Sequence, residues 1–416
     1  FAKKMRTCLI HKGVACGRVT APPSKSYAHR YVLASFLASI DDTHTYCIDN
    51  ISLSNDIAAT VDCVRSLGGN IFVNGNKIEV SPCKLSNNDT TLNCRESGST
   101  MRFIIPISLA LIGKTSITGT EKLLSRGLGL YEDIFDTQGI RVKKDRQSFV
   151  AEGELKGGHF DVDGTVSSQF ITGLLFALPL LKEDSEIEIS GEFQSKPYID
   201  ITLDVLRQYG IVIEVKDNIF HIAGNQRYIG KSRYCEGDYS NAAFLDFFNH
   251  VGGDVVIEGL KESSFQGDSI FRKYFSLLDK GFQTIDIKDC IDLGPILFTM
   301  AAVKQGARFI NTRRLRIKES DRVVDMCDEL AKVGVKSVIN DNEVTIYPIP
   351  ENRRGKVQNE KIVFNSHNDH RLAMSLTVLS TLFTATLEDY EAVSKSYPGF
   401  FNDIKSLNID IEEDEK

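Results

Sequence analysis

One order of apolar and polar positions recurs along this chain: an amphipathic run, a glycine, a β-rich run, a short polar turn and a second β-rich run. Clear copies cover residues 61–80, 131–150 and 201–222, and a further copy covers 323–347. In each copy the amphipathic run predicts a helix, and the two β-rich runs predict a hairpin. The polar turns, such as Asn74-Gly75-Asn76, hold residues that tolerate positive φ.

A marker glycine follows each predicted helix. Gly68, Gly139 and Gly210 are equally spaced, and Gly281 continues the spacing although the strand after it is less obvious. Glycine adopts the left-handed conformation at low cost, so it can end a helix and lead into a hairpin. One such unit cannot bury both its helix stripe and its sheet face. The pattern therefore predicts an α+β fold of repeated helix-plus-sheet modules that pack together with buried helices.

Length and charge limit the classes of function. A chain of 416 residues favours two or more domains. The longest apolar runs are interrupted by polar residues and stop short of the about 20 residues of a membrane span. The formal net charge of −7 gives no general attraction to nucleic acid or to a membrane surface. Any bound anion must therefore meet a local cluster of cations. The acidic tail at 412–415 is expected to be a solvated end.

The nine cysteines are scattered, odd in number and without a C-x-x-C pair. This usage is typical of reduced thiols in the cytoplasm, and it argues against a disulfide framework or a structural zinc site. We expect a cytoplasmic protein without a bound metal.

Candidate chemistry lies where apolar helices are predicted to begin. Ser24-Lys25-Ser26 with Arg30 precedes one such helix, and Ser97-Gly98-Ser99 with Arg102 precedes another. Cations and small polar residues at a helix N-terminus suit a phosphate or a carboxylate, although capped helices with solvated basic residues are the alternative. Neither segment is a P-loop, and Gly127-Leu128-Gly129 lacks the third glycine of a dinucleotide fingerprint. Nucleotide binding is disfavoured.

Further helix starts carry the same signal. Ser167-Ser168-Gln169 precedes an apolar run, with Ser195 and Tyr198 one element later. Lys318 and Arg322 are four residues apart, so a helix starting here would place both cations on one side, beside Glu319. Asp369-His370-Arg371 precedes the last apolar helix, and Lys395 follows it. If the modules converge, these starts form a strongly positive site for a multiply anionic substrate.

In this order, the segments resemble those of the 5-enolpyruvylshikimate-3-phosphate synthases, from Pro23-Ser24-Lys25-Ser26 to Lys395-Ser396-Tyr397-Pro398. The resemblance implies a two-lobed enolpyruvyl transferase fold in which each lobe has three βαβαββ repeats. The N-terminal lobe, on the shikimate 3-phosphate side, is expected at 19–236. The C-terminal lobe, on the phosphoenolpyruvate side, is expected at 1–18 plus 237–416. The resemblance also implies a monomer without a metal or an organic cofactor, enolpyruvyl transfer by addition and elimination, and inhibition by glyphosate.

The resemblance assigns residues to the two substrates. Those for shikimate 3-phosphate are Lys25, Ser26, Arg30, Ser167, Ser168, Gln169, Ser195, Tyr198, Asp292 and Lys318. Those for phosphoenolpyruvate are Lys25, Gly98, Arg126, Gln169, Arg322, His370, Arg371 and Lys395. The implied catalytic residues are Lys25, Asp292 and Glu319, with Glu319 and Asp292 as the acid and base. Arg314 departs from the pattern, since many members carry Asn there.

Two other functions remain open at this point. The related transferase that acts on UDP-N-acetylglucosamine typically uses a loop cysteine, and no cysteine lies near Arg126. A noncatalytic phosphate- or RNA-binding module could use the same repeats. The acidic net charge and the lack of interleaved aromatic and basic residues weigh against it.

Overall fold

The computed structural model describes residues 6–86, 90–354 and 361–414. These residues separate into two compact units. The first unit is Pro23–Glu236, and the second joins the described residues up to Pro22 with those from Gly237 onward. The lobes expected from the sequence are 19–236 and 1–18 plus 237–416.

The helices and strands of the described residues are numbered in chain order. The α-helices are α1 (Lys25–Ser39), α2 (Asn55–Ser66), α3 (Gly98–Ile112), α4 (Glu121–Ser125), α5 (Gly129–Thr137), α6 (Ser168–Ala177), α7 (Lys196–Gln208), α8 (Tyr239–Asp246), α9 (Phe271–Leu278), α10 (Gly294–Val303), α11 (Val324–Ala331), α12 (Glu351–Arg354), α13 (His370–Ser380) and α14 (Phe400–Ser406). The strands are β1 (Thr7–Ile10), β2 (Cys16–Thr20), β3 (Tyr46–Asp49), β4 (Asn70–Asn74), β5 (Lys77–Ser81), β6 (Leu92–Asn93), β7 (Lys114–Thr118), β8 (Arg141–Lys144), β9 (Ser148–Glu152), β10 (Gly158–Asp163), β11 (Ser185–Ser190), β12 (Ile213–Lys216), β13 (Ile219–Ile222), β14 (Arg233–Tyr234), β15 (Asp254–Glu258), β16 (Gln283–Asp286), β17 (Ala307–Ile310), β18 (Ser337–Ile339), β19 (Glu343–Ile346), β20 (Val363–Asn365), β21 (Ala385–Glu388) and β22 (Ile411–Glu413).

The first unit contains three modules with one topology. Their sheets have the orders β14-β3-β5-β4, β6-β7-β9-β8 and β10-β11-β13-β12. In each sheet the first two strands are parallel, and the closing hairpin is antiparallel to the second strand. Parallel neighbours need a crossover, which α3 and α6 supply in the last two modules. The first module takes its outer strand β14 from the far end of the unit.

The helices α1, α3 and α6 lie in the interior of this unit. Most residues of each helix are buried, as expected for helices without a polar face. Gly173 brings α6 close to α3, because a Cβ there would collide with the Arg102 carbonyl and the Tyr131 hydroxyl. The predicted positive φ of the marker glycines is confirmed, at 102° for Gly68 and 79° for Gly210. Glycines in the left-handed region therefore end the outer helices of this unit, and buried apolar helices form its core.

The second unit repeats the topology with two changes. Its four-stranded sheets have the orders β16-β17-β19-β18 and β20-β21-β1-β22, and α10 and α13 are almost wholly buried. β2 and β15 form a parallel pair without a hairpin among the described residues. Gly281 has φ of +143°, but the chain goes directly into β16, the first strand of the next module. The marker therefore does not introduce a hairpin here.

The two ends of the chain meet in one sheet. β1 lies between β21 and β22 and is antiparallel to both. Glu412 and Glu413 of the acidic tail are exposed, as expected of a solvated end, although both residues pair with β1 in a strand; residue 415 lies outside the described range. Among the residues described, no helix combines the length and the apolar character that crossing a membrane requires.

Candidate active site

Arg30 of α1 connects this helix with α7 and packs against α3 in the first unit. It donates from Nε to Thr202 Oγ1 at 2.8 Å, from Nη2 to the Tyr198 carbonyl at 3.0 Å, and from Nη1 to the Ser26 carbonyl at 2.7 Å. Its guanidinium carbon lies 5.2 Å from the centre of the Phe103 ring. Burial lowers the pKa of Arg30 to about 10, so the group stays charged at neutral pH. A buried cation among hydroxyl and carbonyl oxygens attracts an anion.

Lys25 is the first residue of α1. The helix is capped by Ser24, whose side chain accepts from the backbone N–H of Tyr27. Lys25 Nζ lies 3.0 Å from Asp56 Oδ2, and both side chains are largely buried. The carboxylate therefore positions the ammonium group at the positive end of α1.

His29 lies one turn into α1 and is fully buried. Its Nδ1 makes a hydrogen bond of 2.7 Å with Thr60 Oγ1. Burial, together with the charges of Lys25 and Arg30, holds the pKa of His29 well below its usual range. The imidazole is neutral, and the positive charge of this helix start comes from its neighbours.

Two guanidinium groups flank Gly98, the first residue of α3. A Cβ at this position would lie 2.9 Å from Arg126 Nη1 and 3.1 Å from Arg102 Nη1. A side chain at this position would displace at least one of the two groups from its place beside the helix N-terminus. Arg102 Nη1 also donates to Gln169 Oε1 at 2.7 Å, which connects the start of α3 with that of α6. Like charges beside the backbone N–H groups of a helix end suit a phosphate or a carboxylate.

Hydroxyl groups line the starts of α6 and α7. Ser167 caps α6 and accepts from the Gln169 backbone N–H at 3.4 Å, and Ser168 is buried beside it. Gln169 Nε2 donates to Ser99 Oγ at 2.9 Å. Ser195 precedes α7 with φ of +57° and a buried side chain. Such strain in a residue with a Cβ costs about 1–3 kcal/mol and is typical of functional positions.

Arg322 is the centre of a charged cluster in the second unit. It donates from Nη1 to Asp292 Oδ1 at 3.0 Å, from Nη2 to Glu319 Oε2 at 2.7 Å, and from Nε to Asp369 Oδ2 at 2.7 Å. Burial opposes the charge, yet the three carboxylates raise the pKa of Arg322 above its usual value. Lys318 Nζ adds a second cation 3.1 Å from Asp292 Oδ1. Glu319 and Asp292, the predicted acid and base, therefore both pair with Arg322.

The prediction that a helix begins near Lys318 was wrong. Lys318 is extended, and α11 begins only at Val324. Asp321 explains the late start, because its Oδ1 accepts from the backbone N–H groups two and three residues later, at 3.2 and 3.1 Å, and these bonds stabilise the turn that precedes α11. Lys318 and Arg322 nevertheless reach the same Asp292 oxygen.

The cations decide the protonation of this cluster. Burial alone would raise the pKa of Asp292, but Lys318, Arg371 and Arg322 hold it well below its usual range. Burial lowers the pKa of Lys318 to about 8, and repulsion from Arg322 and the buried Arg314 acts in the same direction. Asp292 is therefore an ionised carboxylate, able to accept a proton.

The start of α13 completes the cluster. Asp369 caps the helix by accepting from the Arg371 backbone N–H at 2.8 Å. Arg371 Nη1 donates to Asn241 Oδ1 at 3.2 Å, which connects α13 with the start of α8. Lys395 Nζ donates to the carbonyl of the residue before Asp369 at 2.6 Å, and His370 is buried with Nδ1 4.0 Å from Asp369 Oδ1. Helix starts therefore converge within this unit, as they do within the first.

The sequence model that describes EPSP synthase (3-phosphoshikimate 1-carboxyvinyltransferase) matches residues 12–404 of this chain. The chain belongs to the EPSP synthase family. A 3-phosphoshikimate 1-carboxyvinyltransferase from Clostridium perfringens is 38% identical over 97% of this chain and 98% of its own length. The enzyme of that name from Clostridium beijerinckii is 38% identical over 96% of both chains. Membership of the EPSP synthase family makes the chain a transferase.

Solved structures show the same fold. EPSP synthase from Acinetobacter baumannii superposes with a TM-score of 0.77 at 20% identity, covering 99% of this chain and 100% of that one. The enolpyruvyl transferase NikO from Streptomyces tendae has a TM-score of 0.75 at 14% identity, covering 98% and 99%. These likenesses confirm the predicted two-lobed α+β fold of the EPSP synthases.

Sequence reasoning missed several groups that the EPSP synthase fold brings to these clusters. Asp369 and Arg102 were noticed at helix starts but were given no role. Asn241 could have been found in the same way, because it lies in the first turn of α8, and Asp238 caps that helix by accepting from the Asn241 backbone N–H. Asp268 had no local signal, since it lies in a short 3-10 turn and hydrogen-bonds with a serine hydroxyl. Burial and the negative charge of Asp292 raise the pKa of Asp268 to about 7.

Proposed function

We propose that the chain transfers the enolpyruvyl group of phosphoenolpyruvate to the 5-hydroxyl of shikimate 3-phosphate and releases phosphate. The reaction belongs to the shikimate pathway, which leads through chorismate to the aromatic amino acids. Family membership over nearly the whole chain supports this assignment. The observation that carries the chemistry is the Arg322 cluster, in which two carboxylates that differ in role share one buried cation.

Shikimate 3-phosphate is bound by residues at the helix starts of the first unit. They are Lys25, Ser26, Arg30, Ser167, Ser168, Gln169, Ser195 and Tyr198. Lys25 and Arg30 supply positive charge for the phosphate, and the serine hydroxyls of α6 donate to its oxygens. Asp292 and Lys318 of the second unit act on the 5-hydroxyl and on the charge that develops beside it.

Phosphoenolpyruvate is bound by cations that are already gathered around small residues. Arg126 beside Gly98 takes one anionic group, with Gln169 and Lys25 as further donors. Arg322, His370, Arg371 and Lys395 of the second unit act on the same substrate. These groups offset the repulsion between two phosphorylated reactants and position them for reaction.

The reaction needs a proton donor and a proton acceptor. Glu319 donates a proton to the methylene carbon of phosphoenolpyruvate, and the 5-oxygen attacks the adjacent carbon while Asp292 takes the hydroxyl proton. The product of this addition is a tetrahedral intermediate. In the elimination, a methyl proton returns to Glu319, the carbon–oxygen bond to phosphate breaks, and phosphate leaves with the proton that Asp292 took from the hydroxyl. The ionised state of Asp292 supports its role as the base.

Four finer points form part of the proposal. The enzyme works as a monomer in the cytoplasm, where its nine thiols stay reduced; each cysteine is free in the structure. It needs neither a metal nor an organic cofactor, and neither nucleic acid nor membrane is a partner. Glyphosate competes with phosphoenolpyruvate because glycine at position 98 leaves space beside Arg126. Exclusion of water from the bound substrates strengthens their ionic contacts.

A phosphate-release assay tests the proposed function. Phosphoenolpyruvate is offered with shikimate 3-phosphate or with UDP-N-acetylglucosamine, and release is expected with the first acceptor alone. Glu319→Gln should lower kcat by about 10²–10⁴. Glu343→Gln, which alters a pair with Arg308 on the surface of β19, is the control and should leave kcat unchanged. Turnover of the UDP-sugar, or a normal rate for Glu319→Gln, would contradict the proposal.

A further inference from the structure

A row of imidazole and carboxylate groups crosses the β10-β11-β13-β12 sheet of the first unit. The strand register places His159 opposite Glu186, Glu186 opposite His221, and His221 opposite Glu214. Residues directly opposite each other point to the same face of a sheet, and here that face is exposed or half-buried. None of these groups has a role in the proposed enolpyruvyl transfer.

Glu186 lies between the two imidazoles. Its Oε1 is 3.1 Å from His159 Nδ1, and its Oε2 is 2.9 Å from His221 Nδ1. The other nitrogen of His159, Nε2, faces the next row of the sheet and lies 3.5 Å from Glu188 Oε2. Asp161 is opposite Glu188. One ligand atom from each of His159, Asp161 and Glu188 lies within 4.8 Å of the others.

This geometry is suited to a metal ion. When Glu186 accepts the Nδ1–H of His159, the lone pair of Nε2 faces the two remaining carboxylates. A carboxylate that orients a histidine in this way is the usual second partner of a metal-bound imidazole. Ligand atoms on a tetrahedral ion are about 3.4 Å apart, so side chains on this open face need only small movements to reach that spacing.

Charge favours a cation at the same place. Asp161, Glu186, Glu188 and Glu214 bring four carboxylates to this face. Lys216 lies in the row of Asp161 and Glu188, but two strands away from Glu188. Imidazole nitrogen together with carboxylate oxygen selects zinc and similar first-row ions over magnesium and calcium, which prefer oxygen ligands alone.

We propose that His159, Asp161 and Glu188 bind a divalent transition-metal ion, with Glu186 holding the imidazole of His159 in the ligating orientation. Water would complete the coordination on the solvent side. Because the three ligands come from β10 and β11, a bound ion connects two parallel strands, and metal should raise the melting temperature of the protein.

Calorimetric titration with Zn²⁺ tests the site, in a Cys16→Ser background that removes the exposed thiol. Binding at one site is expected, together with a higher Tm. His159→Ala should weaken binding at least tenfold and abolish the Tm shift, and Glu186→Gln should weaken binding by about 10–100-fold. The matched control is His44→Ala, which removes an exposed imidazole that faces a single carboxylate, that of Asp42. It should bind Zn²⁺ as the parent does.

Two results would overturn the proposal. The ligand atoms of His11, Asp410 and Glu412 also lie within 4.8 Å of one another, so His11→Ala is titrated in parallel. Zn²⁺ affinity that survives in His159→Ala, or that is lost in His11→Ala instead, would remove the site from this sheet. Mg²⁺ binding as strong as Zn²⁺ binding would contradict a site built around an imidazole.

Discussion

Replacing Asp369 by Asn tests whether charge holds the Arg322 cluster together. Asp369 accepts from Arg322 Nε at 2.7 Å and Nη2 at 3.3 Å, and from the Arg371 backbone N–H at 2.8 Å. The side chain of Arg322 is 1% exposed and that of Asp369 is 0% exposed. Asparagine keeps the shape but removes the negative charge. Its amide has one oxygen instead of two, so the acceptor is lost either for Arg322 Nε or for Arg322 Nη2 together with the Arg371 N–H.

The expected loss follows from this burial. Removing one partner of a buried ion pair typically costs about 3–5 kcal/mol, because the remaining charge stays out of water. Arg322 keeps Asp292 and Glu319, so we expect a value near the lower end, about 3 kcal/mol of the free energy of unfolding. Such a loss is large beside the about 5–15 kcal/mol that stabilise a typical domain.

Urea unfolding followed by circular dichroism measures the effect, with transitions fitted separately if the two units unfold apart. The matched control is Asp341→Asn, which removes the carboxylate from an exposed pair with Arg313. Exposed pairs contribute about 0–1 kcal/mol, so this variant should resemble the parent. Asp369→Asn that is no less stable than Asp341→Asn would refute the electrostatic account of the cluster.

Three further predictions address charge, space and pH. Burial lowers the pKa of Lys318 to about 8, so the KM for shikimate 3-phosphate should rise as pH increases through that value. Lys318→Arg should flatten this dependence of KM on pH. Parallel dependences in the variant and the parent would exclude Lys318 as the titrating group. Gly98→Ala places a methyl group against Arg126 and should weaken inhibition by glyphosate. Equal inhibition constants for the variant and the parent would disprove this. The pKa of buried His29 lies well below its unfolded value of about 6.5, so the unfolded state binds more protons at low pH and stability falls as pH decreases below about 6.5. In His29→Gln, the Tm measured between pH 5 and pH 7 should depend less on pH than in the parent. An unchanged slope of Tm against pH would rule out a contribution from His29.

Features with a local cause could be predicted from the sequence. The turn at Gly75 follows β4 as expected, because polar residues and glycine favour it whatever the surroundings. The starts of α1, α3, α6 and α13 were also recognised, since capping residues act within one turn. Gly281 shows the limit of this reasoning, because positive φ ends a helix without determining whether a hairpin or a single strand comes next.

Features with a distant cause could not be predicted. The late start of α11 is an exception with a local cause, because Asp321 lies in the same segment as Lys318 and Arg322 and its Oδ1 accepts from two backbone N–H groups just before or at the helix start. The pairing of β1 with β22 joins residues about 400 positions apart, for which local patterns carry no signal. Asp369 became important only because folding buries it against Arg322. Charged side chains could be nominated from the sequence, but their partners could not.

A crystal structure of the protein with shikimate 3-phosphate and glyphosate would show whether cations at helix starts bind the phosphorylated substrate and the inhibitor. Shikimate 3-phosphate should lie against Lys25 and Ser168, and glyphosate against Arg126 and Gly98. Ligand density away from these residues, or ordered ligands with no cation at a helix start in contact, would contradict it.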